Sequence, residues 1–179
     1  VLDTGDDSIY RYDQMDASSS ENSSMQMGTN STAYYFSVAS SSIANFFDEM
    51  YLNTPWEQHY DNLDGRTILD RLASVKYFVV KKGEEAYLPY GYSRLCGQAE
   101  KKSKTYLAYA NEDALPLGYT YDSWISEKDY SEMSVTEKQQ ALLQGVVLKE
   151  SFLPKAELSF NDQEIPYYTS EGKAVSYTH

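Results

Sequence analysis

A chain of 179 residues can bury roughly two-thirds of the surface it exposes when unfolded, so one domain with a proper core is expected. With 41% hydrophobic and 15% aromatic residues, it is too rich in core-formers to be disordered over most of its length. The net charge of −12 argues against nucleic acid as a partner, since only Lys101, Lys102 and Lys104 cluster against it.

The lone Cys96 excludes an internal disulfide and reads as a small buried or half-buried thiol. No run approaches the ~18 apolar residues needed to span a bilayer. Val1-Leu2-Asp3-Thr4 has neither an initiator Met nor signal-peptide character, so the chain is expected to be a piece of a longer protein.

In chain order, Ile9 to Tyr12 reads as a short strand, Ala17 to Ser24 as a solvated loop, and Ser24 to Met27 as a brief strand. An aromatic run, Ala33 to Val38, follows a turn at Gly28 to Ser31. Ser40 to Ser42 then supply caps for a helix with Ile43, Phe46, Phe47, Met50 and Tyr51 at three- and four-residue spacing. Beyond Pro55 and Trp56, Asp64 is placed to cap a second helix, Gly65 to Ser74. Val75 to Val80 is apolar on both faces except at Lys76, the pattern of a strand at the centre of a sheet.

Lys81 to Glu85 turns the chain, and Gln98 to Lys104 reads as a second charged loop before a strand at Thr105 to Ala110. Another strand is expected at Leu117 to Trp124. Ser134-Val135-Thr136-Glu137 has the letters of a capping box and opens a third helix running to about Lys149. Within it Gly145 marks a close approach of another backbone. From Ser151 onward the pattern is strand and turn, clearest at Glu157 to Phe160. Strands interleaved with about three helices predict an α/β or α+β fold with a mixed sheet.

No catalytic constellation assembles from these residues. Asp3-Thr4-Gly5 has the letters of an aspartic-protease loop without the leading strand or second copy that a shared-proton dyad needs. Asp3, Asp6, Asp7, Asp13 and Asp16 lack the alternate-position spacing of a calcium loop, and Cys96, His59 and His179 lack zinc spacing. Gly91-Tyr92-Ser93-Arg94-Leu95 fails the nucleophile elbow at its fifth position. Cys96 has no partner base in sequence, and Asn22-Ser23-Ser24 and Asn30-Ser31-Thr32 match glycosylation acceptors that Ser-rich loops produce by chance. No metal or cofactor is assigned. The eighteen tyrosines suit half-buried strand positions and also sugar-binding surfaces.

Three stretches together resemble the YfhO family of bacterial polytopic membrane proteins. The first is Tyr10-Arg11, then Asn22 to Met27 and Tyr35-Phe36-Ser37. The second is Leu69 to Val79, in which Ala73-Ser74 stands where the family pattern has Leu-Gly before Val-Lys-Tyr. The third is Asn111 to Tyr121, with Ala114-Leu115-Pro116-Leu117-Gly118, followed by the Lys138 to Leu143 helix. The resemblance implies one soluble extracytoplasmic domain, residues 1–179, of a parent similar to membrane glycosyltransferases that use a polyprenyl-phosphate-linked sugar on envelope polymers such as teichoic acids. It implies two kinds of partner: the transmembrane part of the same polypeptide, and a lipid-linked sugar or envelope glycan. A purely glycan-binding or structural module is the alternative.

Arg11, Tyr35, Ser37, Lys76, Tyr77 and Asn111 match motif positions and are the candidate ligand-binding residues, while no catalytic residue carries over. Lys76 has three physical options: to snorkel to the sheet edge, to pair with a carboxylate, or to meet an anionic ligand.

Overall fold

The computed structural model describes residues 4–15, 22–54 and 58–152, together with one further strand pair. The chain divides into two compact units, Val1–Gly118 and Tyr119–His179. The expected mixed α/β class is borne out.

The first unit is organised by a four-stranded sheet whose strands are β1 (Arg11–Gln14), β4 (Val75–Lys81), β5 (Arg94–Lys101) and β6 (Lys104–Ala110). They lie in the order β1-β4-β6-β5. β1 runs parallel to β4, with Tyr12 opposite Tyr77 and Gln14 opposite Val79, while β4–β6 and β5–β6 are antiparallel. The apolar run read from the sequence is thus an inner strand. Val75, Phe78 and Val80 are buried in it, and with Leu69, Leu107, Ala108 and Ala110 they form much of the core.

Before β4 the chain makes α1 (Ser23–Met27), β2 (Tyr34–Tyr35), α2 (Ser41–Glu49), β3 (His59–Tyr60) and α3 (Thr67–Leu72). β2 and β3 pair antiparallel, placing Tyr34 against Tyr60 and Tyr35 against His59. Ser74 then takes a left-handed φ of 59°, which stops the helical path and turns the chain into β4.

Several expectations are corrected here. Ser24 to Met27 is a helical turn, not a strand, and Gly28 ends it in the left-handed conformation with its N–H on the Met25 and Ser24 carbonyls. Asp64 does not cap α3. Asp64 and Gly65 both have positive φ, 55° and 62°, so the helix starts beyond the carboxylate's reach; Asp64 instead accepts from the Asn53 N–H at 3.1 Å and pairs with Arg66 at 3.5 Å. The supposed loop from Gln98 to Lys104 is the tip of the β5–β6 hairpin. Lys102 and Ser103 both sit at positive φ, 50° and 61°, a two-residue turn without the Asn-Gly or Asp-Gly pair that normally announces it.

The second unit contains β7 (Trp124–Ser126), α4 (Glu127–Glu132), α5 (Val135–Gln144) and β8 (Val146–Leu148). β7 and β8 are parallel, joined by the two helices. The strand expected over Leu117 to Trp124 is absent: only Trp124 of that stretch is in a strand, and Tyr119 and Tyr121 meet edge to face at 5.4 Å. The capping box at Ser134 and Glu137 is present, but α5 stops at Gln144 because Gly145 is extended and leads straight into β8. A Cβ on Gly145 would stand 3.1 Å from the Ser123 carbonyl oxygen and 3.2 Å from the Trp124 nitrogen, so the close backbone approach expected there is real. Strands β9 (Tyr167–Tyr168) and β10 (Ala174–Val175) pair antiparallel. Pro55, Trp56 and the strand expected at Glu157 to Phe160 lie outside the described residues.

Candidate functional site

Strand alternation sends Tyr12 and Gln14 of β1, Tyr77, Val79 and Lys81 of β4, and Tyr106 and Ala108 of β6 to one face of the first unit's sheet. Together with Tyr10, Thr4, Met27 and Thr29 they line a cavity of about 340 Å³, within the size range of small-ligand sites. Lys81, Glu84, Glu100 and Lys101 bring both signs of charge to it. Lys81 lies 3.8 Å from Glu84, a loose exposed pair that a ligand can open at little cost.

One end of this face is fixed by Asp6. Its Oδ2 accepts from the Tyr77 hydroxyl at 2.7 Å and is ion-paired with Lys76. The Lys76 ammonium, with hydrogen bonds from Ser8 and Tyr77, holds the Asp6 carboxyl well below the usual carboxylate range. Burial, and then Asp6, push the Tyr77 hydroxyl up to about 12. Tyr10 meets Tyr77 edge to face at 4.7 Å, and its hydroxyl lies 3.1 Å from Thr4 Oγ1. The tyrosine rings are thereby locked before any ligand arrives.

The six residues singled out from the sequence divide between several places. Lys76 and Tyr77 come together at Asp6, so the carboxylate option for Lys76 is the one the fold uses. Arg11 lies opposite Val75 at the start of β4, where its guanidinium donates to the Ala73 carbonyl at 2.6 Å and its N–H to the Ser74 carbonyl at 2.8 Å. Tyr35 stacks on His59 at 4.4 Å, and Ser37 lies in an exposed bend. Asn111 is buried at the end of β6, its N–H on the Lys76 carbonyl at 2.8 Å and its Oδ1 accepting from Asp113 at 3.0 Å. Of the six, Tyr77 lines the cavity, whereas Arg11, Tyr35, Ser37, Lys76 and Asn111 do not.

Sequence reasoning missed Tyr10, Tyr12, Tyr106 and Asp6 as members of one site. The two-residue spacing of Tyr10 and Tyr12 was visible in the sequence, but the order β1-β4-β6 that joins them to Tyr106, and the reach of Asp6 to β4, were not. Cys96 donates to the Ala108 carbonyl at 3.2 Å, and burial pushes its thiol up, away from nucleophilic use. Among the described residues no group of three or more His, Cys, Asp or Glu is placed to hold a metal ion.

The family described as "Bacterial membrane protein YfhO" matches residues 2–178. The chain belongs to the YfhO family. The resemblance read from the motifs is therefore borne out. A Bacillus subtilis (strain 168) protein named "Uncharacterized protein YfhO" is 28% identical over 148 residues, 81% of this chain and 16% of that protein. This chain thus corresponds to a small part of a YfhO polypeptide. No solved structure matches it significantly. Among the described residues of this YfhO chain, no helix is long and apolar enough to cross a membrane.

Proposed function

We propose that this chain is an extracytoplasmic accessory domain of a YfhO membrane protein, holding a sugar for a membrane glycosyltransferase core that uses polyprenyl-phosphate-linked donors on teichoic-acid-type envelope polymers. The observation that carries the reading is the sheet face of Tyr10, Tyr12, Tyr77 and Tyr106 with Lys81, Lys101 and carboxylates at its rim. Tyrosine rings offer an apolar face to the C–H side of a sugar and a hydroxyl to its edge. Lysines at the rim suit the phosphate of an activated or polymer-linked sugar. The transmembrane part of the same polypeptide is the partner, and it supplies the chemistry; this domain supplies position and selectivity.

The test uses the full-length membrane protein in vesicles, comparing wild type with a Tyr12→Ala, Tyr106→Ala double variant. Removing two ring platforms is expected to lower sugar transfer about tenfold or more, mainly through KM. Unchanged transfer overturns the accessory role. Saturation-transfer NMR of the 179-residue chain with envelope oligosaccharides separates the alternatives. An oligosaccharide signal that wild type gives and the double variant does not, with sugar transfer intact in both, leaves a glycan-binding module. No such signal in wild type, again with transfer intact, leaves a structural one.

A further inference from the structure

From Asn22 to Phe47 the chain contains no Asp, Glu, Lys or Arg, although 23% of its residues are charged and a run of that length would carry about six. This stretch is not hidden in the core. Met25 is 73% exposed, Phe36 57% and Val38 78%. Single exposed apolar side chains are ordinary when charges surround them, but here their neighbours in sequence carry none.

The stretch forms one surface. The Asn22 side chain grips the Tyr35 backbone from both sides, donating to its carbonyl at 2.9 Å and accepting from its N–H at 3.1 Å, which ties α1 to β2. Tyr34 stacks on Tyr60 at 4.9 Å and Phe47 meets the same ring edge-on at 4.8 Å, which ties β2 and α2 to β3. Met25, Phe36 and Val38 project from this unit, separated by Ser, Thr, Asn and Gln.

We infer that this uncharged face, centred on Phe36 and Val38, rests on the interfacial zone of a lipid bilayer. A buried ion is costly in that zone, whereas hydroxyls and amides still find headgroup partners there and apolar side chains reach the acyl boundary. Family membership puts the chain in a membrane protein, so a bilayer lies within reach of whatever face turns toward it. Phe36 and Val38 are exposed two residues apart with the small polar Ser37 between them, a spacing suited to insertion among lipid headgroups. Met27 belongs both to this stretch and to the wall of the tyrosine cavity. The cavity wall and the uncharged stretch thus share residues, which would bring a lipid-linked ligand close to both. The bilayer contact does not depend on that ligand.

The experiment places a polarity-sensitive NBD label at Phe36→Cys in a Cys96→Ser background, with Lys102→Cys on the β5–β6 turn as the comparison site. The chain is tethered by a terminal histidine tag to phosphatidylcholine vesicles containing nickel-chelating lipid, which supplies the high local concentration a membrane protein enjoys. With doxyl-phosphatidylcholine in the vesicles, the label at position 36 is expected to shift to the blue and to be quenched several-fold more than that at 102. Adding Val38→Asp, a change at an exposed position, is expected to abolish the difference. Equal quenching at the two sites, or a difference that survives Val38→Asp, overturns the inference. Either result leaves the glycan reading standing, because the Tyr12 and Tyr106 variants test that separately.

Discussion

Asp70 lies on α3 fully buried, with Oδ1 lacking a hydrogen-bond partner among the described residues and Oδ2 3.2 Å from the Tyr92 hydroxyl. That hydroxyl has one proton and a nearer acceptor, the Val75 carbonyl at 2.7 Å. Once the proton goes there, the tyrosine oxygen needs a donor, and a protonated Asp70 provides it. Burial, then the nearby Asp13, push the Asp70 carboxyl far up, in agreement with this arrangement. Asp13 is also buried. It accepts from the Thr32 N–H at 3.1 Å and the Ser31 hydroxyl at 3.0 Å, yet burial still raises it from 3.8 to about 6. A folded-state value above the unfolded one means stability that is complete below pH 3.8 and is lost as pH rises through about 6. At about 1.4 kcal/mol per pH unit, the Asp13 contribution is about 3 kcal/mol. Urea midpoints are expected to fall between about pH 4 and pH 7, and Asp13→Asn should flatten that slope while Asp70→Asn leaves the chain at least as stable above pH 7. A wild-type midpoint constant over this range would contradict both carboxyl assignments. Asp6 acts with the opposite sign, because Lys76 lowers it: its contribution is present above pH 3.8 and is lost as pH falls below that. Lys76→Met is expected to cost about 1 kcal/mol, since the pair is only partly shielded from water. Asp6→Asn should lower the Tyr77 titration, followed by ultraviolet absorbance; a Tyr77 titration unchanged by that variant would show that Asp6 does not raise it.

Among the elements, α5 shows how sequence and fold agree. The Ser134 hydroxyl accepts from the Glu137 N–H, and Glu137 reaches back to the Ser134 N–H at 2.8 Å, as the four letters indicated. Ser134→Ala is expected to cost about 1 kcal/mol. Gly145→Ala is the sharper test. Alanine has the better helix propensity, but its Cβ would press on backbone at Ser123 and Trp124, which cannot rotate away as a flexible side chain can. The substitution should therefore lower the thermal midpoint by several degrees, and a rise would mean the β7–β8 approach is looser than described. Local pattern made α2, β4, β6 and the start of α5 legible, because each carries its own periodicity or cap. The β5–β6 hairpin was hidden because Glu100, Lys101, Lys102 and Lys104 read as a solvated loop. At the edge of the sheet among the described residues, β5 tolerates charges that an inner strand would not. α1 was hidden for a different reason: five residues are too few for a helical period, and its Gly28 termination reads equally well as a turn. The cavity was half legible. Each tyrosine's face followed from alternation, but a parallel β1–β4 pairing across more than sixty residues of chain leaves no local trace.

At the scale of the whole molecule, the −12 net charge and the uncharged stretch from Asn22 to Phe47 act together. An acidic body is repelled by anionic lipid, and the repulsion extends about a Debye length, near 30 Å at about 0.01 M salt and about 10 Å at about 0.1 M. Setting the charge-free face against the bilayer moves the carboxylates outward, where salt screens them first. This predicts an unusual salt dependence. On tethered vesicles that are roughly one-third phosphatidylglycerol, quenching of the label at position 36 should be weaker than on pure phosphatidylcholine at about 0.01 M salt. The difference should close as salt is raised toward about 0.3 M, because the apolar contact made by Val38 and the label at position 36 is itself insensitive to ionic strength. A protein held to membranes by basic residues behaves oppositely, detaching as salt rises. Quenching that declines with salt would therefore mean that Lys101, Lys102 and Lys104, not the uncharged face, make the approach, and the orientation argued for this domain would have to be reversed.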